Sequence, residues 1–198
     1  MIDKPDLAAL LGSRICHDLI SPLGAIGNGV ELLMMSGAAA SPEVALIAES
    51  IENANARIRY FRVAFGSAGP DQRMGRPEIL SILADTTKGG RLSIDWAVPG
   101  DMPRPEVKLA FLLLQCCETA MPYGGKITVT HQGGAWRVAA TALKLKIEPA
   151  LWESLSNPAS GAEITAAKVH FALAPEEVQR QHRRLTSQLR PTEIILEF

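Results

Sequence analysis

Val44, Ile47, Ile51, Ala54, Ile58, Phe61 and Phe65 follow one another at steps of 3, 4, 3, 4, 3 and 4. Such a seam commits its segment to a helix with one apolar stripe, and the stripe needs another helix against it. The preceding segment, from Lys4 to about Met35, has the same rhythm in Leu7, Leu11, Ile15, Leu19, Pro22, Ile26, Val30 and Leu33. The spacing predicts a second helix, with Pro5 in its first turn and that row as its buried face. Between the two, "SGAAASPE" interrupts the pattern. Ser41-Pro42-Glu43 is a start signal: a serine cap, a proline at the first helical position and an acid in the first turn. Two long helices with a short connection make an antiparallel hairpin. A lone hairpin has little core, so its stripes require either the rest of the chain or a second copy as cover. The expectation is the second copy, a homodimer whose hairpins pair into a four-helix bundle.

The stretch "GSAGPDQRMGRP", Gly66 to Pro77, is rich in glycine and charge and reads as a linker. It sets a boundary near Asp71, with a helical hairpin at 1–70 and a second domain at 71–198. In the second part "RPEILSILADTTKGG" reads as a helix ended by Gly89-Gly90, "RLSIDWAV" as a strand and "PRPEVKLAFLLLQCCETAM" as a buried helix. "GKITVTHQ" and "WRVAATAL" alternate on either side of Gly133-Gly134, the pattern of a β-hairpin. A helix through "IEPALWESLSN" is expected next, then a helical stretch from Glu163 to Arg184 interrupted by Pro175, then strands in "RLTSQL" and "TEIILEF". Helices with mostly antiparallel strands predict a two-layer α+β sandwich.

Composition narrows the partners. With 198 residues, 47% of them hydrophobic, the chain has material for a real core. Its 20 basic and 21 acidic residues leave a formal charge of −1, which gives no global pull toward nucleic acid or an anionic membrane. No apolar run reaches the roughly 18 residues that would span a bilayer. The opening "MIDKPDLAAL" lacks the basic segment and apolar run of a signal peptide. Cys16, Cys116 and Cys117 are an odd set without ligand spacing, and read as reduced, buried thiols. The expectation is a cytoplasmic protein with neither membrane nor nucleic acid among its partners.

The chemistry lies in "SRICHDLISPLG", residues 13 to 24. At about 100° per residue, His17 is far round from Ile15 and Leu19, on a face shared with Leu10, Ser13, Ile20, Ser21 and Gly24. The histidine therefore points to water amid side chains that leave room for an approaching surface. Asp18 is placed to orient an imidazole or to hold its proton on one nitrogen, leaving the other as a nucleophile. Pro22 removes the backbone donor that would reach the carbonyl of Asp18, a cost of roughly 3 kcal/mol in an ordinary helix interior. A helix with no task would avoid it.

"HDLISPL" resembles the phosphoacceptor box of two-component histidine kinases: His, acid, two variable residues, Ser/Thr/Asn, Pro, Leu. The matching residues are His17, Asp18, Ser21, Pro22 and Leu23. In that family the hairpin pairs into a four-helix bundle with the histidine on the outer face of the first helix. The resemblance implies that the second part is the kinase's Bergerat-like ATP-binding domain. The segment "LLLQCCETAMPYGGKITV" is similar to the one that carries two magnesium- and nucleotide-binding asparagines in the kinases. Here those positions hold Gln115 and Thr119, and Thr119 lacks the amide oxygen that would reach the metal. Where the family has an Asp-x-Gly-x-Gly loop, this chain reads "ATALKLKIEPALWESL", and where a glycine-rich lid follows it reads "NPASGAEITAAK" with Gly161 alone. An intact histidine box beside a nucleotide domain without its motifs resembles the bacterial histidine phosphotransferases of the ChpT type.

That resemblance implies a phosphorelay. His17 accepts a phosphoryl group from the aspartate of a hybrid kinase's receiver domain and passes it to a response-regulator receiver, with no cofactor of its own and with Mg²⁺ held by the receiver's acids. Asp18 assists His17. Arg14, one turn earlier, either steadies phosphoryl oxygens or is a solvated charge. Leu10, Ile20, Ser21 and Gly24 complete the candidate docking patch with Arg14. Two rivals stand beside this reading: a divergent ATP-dependent histidine kinase, and a non-catalytic dimeric scaffold or inhibitor of a kinase or receiver. Elsewhere His131, His170 and His182 have no acid or cysteine at metal spacing and read as structural. Trp96, Trp136 and Trp152 read as packing, since no basic tract interleaves with them.

Overall fold

A computed structural model describes residues 6–35, 42–157 and 160–198. It divides into two compact units, one of residues 1–67 with 81–86 and the other of residues 68–80 with 87–198.

The first unit is built on α1 (Leu7–Met35) and α2 (Pro42–Ala64). Asp6 caps α1, its Oδ1 accepting the N–H of Ala9 at 3.0 Å. The expected first-turn proline and the serine cap, Pro5 and Ser41, lie outside the described residues. Packing is antiparallel. A Cβ on Gly12 would come within 3.2 Å of the Phe65 carbonyl oxygen, and one on Gly27 within 3.4 Å of Ile51 Cγ2. Near the same end the Ser13 hydroxyl accepts the Ser67 N–H at 2.9 Å.

The face of α1 against α2 is not the expected one. Ala9, Cys16 and Val30 are buried, with Gly12, Ile20, Leu23 and Gly27 half-buried along the same side. Small residues admit close approach of the two backbones, so the smaller row went inward. The larger row, Leu11, Ile15, Leu19, Ile26 and Leu33, is between 45% and 60% exposed, and Pro22 is exposed with it. These two rows lie about 100° apart round the helix axis. On α2 the seam is buried at Ile51 and Ile58 but open at Ile47. Helix α1 continues through Pro22 from Leu7 to Met35.

In the second unit β1 (Arg73–Met74) precedes α3 (Arg76–Thr87), and β2 (Leu92–Trp96) and β3 (Met102–Pro103) lead into α4 (Arg104–Ala120). There follow β4 (Gly125–Gln132), β5 (Ala135–Thr141), α5 (Pro149–Glu153), a single 3₁₀ turn at Ala166–Lys168, α6 (His170–Arg180), β6 (Thr186–Leu189) and β7 (Glu193–Glu197). Helix α3 contributes to both units, its Ser81–Thr86 stretch belonging to the first. There Asp85 accepts from Arg59 of α2 at 2.8 Å.

The main sheet runs β2-β4-β5-β7-β6, with β2 and β4 parallel and the remaining pairs antiparallel. Gly133 and Gly134 turn β4 into β5 at φ of 58° and 84°, the left-handed pair that a tight hairpin requires. Ile127, Val129, Val138, Ala140, Ile194 and Leu196 are all fully buried, one apolar layer of the core. Helix α4 is buried almost all round, as its unbroken apolar run requires, and packs against α6 and the sheet. Trp96 and Trp136 sit with ring centroids 5.5 Å apart, and Trp136 stacks on Phe198 at 5.6 Å.

Two helical expectations are corrected. Helix α5 stops at Glu153 instead of reaching Asn157, where the Ser154 hydroxyl turns back to the Leu151 carbonyl at 2.6 Å. Pro175 does not interrupt α6, because its fixed φ suits a helix and only one backbone bond is lost. Phe171, Ala174 and Val178, buried around it, hold that turn in place.

Candidate functional site

His17 projects from the middle of α1 with 82% of its side chain exposed. Its Nδ1 is 3.0 Å from Asp18 Oδ1. An ionised carboxylate has no proton to give, so the imidazole is the donor and Nδ1 carries the hydrogen. The Nε2 lone pair is then left facing solvent. The second oxygen of the same carboxylate, Oδ2, accepts Arg14 Nε at 2.7 Å. These bonds, the one from His17 first and the one from Arg14 next, hold the Asp18 carboxyl below its ordinary range. Asp18 thus stays an acceptor at physiological pH.

The other predicted positions fall on this surface of α1 to different degrees. Leu10 is half exposed, Ser21 is exposed, and a Cβ placed on Gly24 would meet nothing within 4 Å. The way to His17 on that side is open. Ile20 is only half-buried, turned partly toward α2. Cys16, next to the histidine, is buried, and burial pushes its thiol up from the ordinary value, so it offers no competing thiolate. Among the described residues no group of three or more His, Cys, Asp or Glu side chains could hold a metal ion. Nor is any described helix long and apolar enough to cross a membrane.

A second histidine is tied to the positions that the kinase comparison singles out. Thr119 Oγ1 is 2.9 Å from the Gln115 carbonyl and 3.0 Å from His170 Nε2. The single hydroxyl proton goes to the carbonyl, which can only accept, so His170 donates from Nε2 to the threonine. Burial pushes His170 down to about 4, against the opposing pull of Glu118. Gln115 is buried, with Oε1 lacking a hydrogen-bond partner among the described residues. In the sequence His170 reads as structural for want of an acid or cysteine at metal spacing, and the partner it has, Thr119, is 51 residues away. No local spacing reports that pairing.

The chain matches the model of the histidine phosphotransferase C-terminal domain over residues 76–193. It is also 34% identical, over 170 residues, to a protein phosphotransferase ChpT of Brucella abortus, covering 83% of this chain and 81% of that one. The chain belongs to the ChpT-type histidine phosphotransferase family. A solved bacterial phosphotransferase superposes on it with a TM-score of 0.71 at 28% identity, covering all of this chain and 97% of the other. For a histidine phosphotransferase the exposed His17 pair is the feature to be explained, since the matched C-terminal segment does not contain it.

Proposed function

We propose that this histidine phosphotransferase accepts a phosphoryl group on His17 from a receiver-domain phosphoaspartate and returns it to the aspartate of a response regulator. The observation that carries this reading is the His17–Asp18 contact, which places the hydrogen on Nδ1 and leaves an unshared pair on an exposed Nε2.

The Nε2 lone pair attacks phosphorus in line, the N–P bond forms, and the bond to the aspartyl oxygen breaks with its electrons returning to the carboxylate. The imidazole gains positive charge as this happens, and Asp18 Oδ1 lies against the Nδ1–H that carries it. In the return step a second aspartate attacks, the N–P bond breaks and the pair goes back to Nε2. Most of the catalysis is positioning and charge neutralisation. Mg²⁺ belongs to the receiver's acids, and this chain supplies none of its ligands.

The reading includes a homodimer. A monomer that leaves a row of five large aliphatic side chains half exposed, roughly a quarter turn from its own hairpin contact, is suited to pairing as a four-helix bundle. In this account 1–70 is the pairing and phosphotransfer domain, and 71–198 a degenerate kinase ATPase-like domain working in the cytoplasm. The absence of ATP binding is supported by Thr119, whose hydroxyl is engaged by Gln115 and His170, and by Gln115, which offers one neutral oxygen where Mg-ATP needs several hard ligands.

The test is to incubate the purified protein with labelled ATP, and separately with a phosphorylated receiver, using wild type and His17→Ala. Acid-labile label taken only from the receiver, and absent from His17→Ala, is the expected result. Label taken from ATP alone would make the protein a kinase, and no label from several receivers would favour a scaffold.

A further inference from the structure

His17 and Asp18 are neighbours on a helix, and neighbours on a helix do not face each other. Their side chains leave α1 about 100° apart, so the 3.0 Å contact needs one particular orientation of the carboxylate. The terminal torsion of an aspartate is broad and nearly two-fold, and a carboxylate on an open helix surface samples it freely. Something must select the orientation.

Arg14 is placed to do so. It is four residues before Asp18, on the same side of α1, and its Nε holds Oδ2 at 2.7 Å while Oδ1 receives His17. Arg14 and His17 are the two partners of Asp18 among the described residues, one on each oxygen. The guanidinium N–H is directional, so with Oδ2 held by Arg14 the orientation that turns Oδ1 to His17 is favoured.

We propose that Arg14 is a positioning residue, which fixes Asp18 so that His17 is held in the Nδ1–H tautomer with Nε2 free. This deepens the phosphoacceptor reading and rests on it, but concerns a different pair of atoms. It assigns the arginine to the carboxylate rather than to phosphoryl oxygens. The downward shift of Asp18, to which Arg14 contributes after His17, agrees with an acceptor kept ionised. An exposed pair of this spacing is individually weak, so the effect is a bias in population and not an absolute requirement.

The experiment records side-chain ¹⁵N–¹H correlation spectra of His17 in the full protein, in wild type, Arg14→Ala and Arg14→Lys, alongside single-turnover transfer from a phosphorylated receiver. In Arg14→Ala the ratio of Nδ1–H to Nε2–H forms falls by about two- to threefold, the size set by an exposed i, i+4 ion pair. The transfer rate falls with the Nδ1–H fraction, and so by less than the ratio itself, and Arg14→Lys recovers part of both. An unchanged tautomer ratio in Arg14→Ala overturns the inference. A rate loss without a tautomer change does so too, and would hand Arg14 to the phosphoryl group or the receiver surface. Label that survives His17→Ala would instead sink the phosphoacceptor reading, which the tautomer spectrum does not judge.

Discussion

Nδ1 of His17 lies 3.0 Å from Oδ1 of Asp18, so one nitrogen of an exposed imidazole is committed and the other is not. The asymmetry is what distinguishes this residue from an ordinary surface histidine. In Asp18→Asn the amide group can present N–H to the ring, which favours a hydrogen on Nε2 and removes the nucleophile's lone pair. Transfer from a phosphorylated receiver should then fall by about a hundredfold or more, as expected where an acid-to-amide change leaves a catalytic histidine in the wrong tautomer. Rapid-quench single-turnover kinetics on a protein with unchanged circular dichroism would check it, and a rate within a few-fold of wild type would remove Asp18 from the mechanism.

Ile26 is 52% exposed on the outer row of α1, away from its contact with α2. A charge there leaves the hairpin intact but places a carboxylate in any interface built on that row. Ile26→Glu is expected to convert a dimer to a monomer in sedimentation velocity with helicity retained. A monomeric wild type at micromolar concentration would contradict the bundle.

How much of this was legible in the sequence depends on whether the signal was local. The helix of α2, the Gly133-Gly134 turn and the apolar run of α4 each carry their cause within one segment and are readable, whereas the heptad seam misses Ala56, Tyr60, Val63 and Ala64, which are buried off it. The inward face of α1 was not readable. Both its leucine and isoleucine row and its glycine, alanine and cysteine row recur every three or four residues, and periodicity cannot say which meets α2. The closeness of the backbones at Gly12 decides it. Arg14 was visible as a neighbour of His17, but its bond to Asp18 depends on a rotamer. The Thr119–His170 contact is purely tertiary.

His170 titrates at about 4 in the folded protein against an ordinary value of 6.5. Its folded pKa is depressed, so between those values the unfolded chain binds more protons than the native one. The stability contributed by keeping this imidazole neutral is therefore complete above about pH 6.5 and is lost as pH falls toward 4. Urea midpoints measured across that window should drop for wild type and drop less steeply for His170→Gln. Parallel slopes would mean that His170 is not held neutral.

Lys108 and Glu177 form a buried pair at 3.5 Å between α4 and α6, with Arg180 and Gln181 also on the glutamate. Lys108→Met leaves the glutamate with Arg180 and Gln181, each at 2.9 Å, but removes the cation buried beside it, and should cost about 3 kcal/mol in denaturant unfolding, the lower end for breaking a buried ion pair. Lys108→Met with Glu177→Leu should recover much of that loss. A single variant as stable as wild type would show that Arg180 and Gln181 satisfy the carboxylate without the lysine.

The central claim is that the phosphoryl group sits on Nε2 of His17. The most direct measurement is to phosphorylate the protein from a receiver domain and record ³¹P and ¹⁵N spectra of the trapped intermediate at alkaline pH. One phosphorus coupled to Nε2 of His17, with Nδ1 still turned to Asp18, is the predicted result. Phosphorus on Nδ1, or on any residue other than His17, would contradict the account.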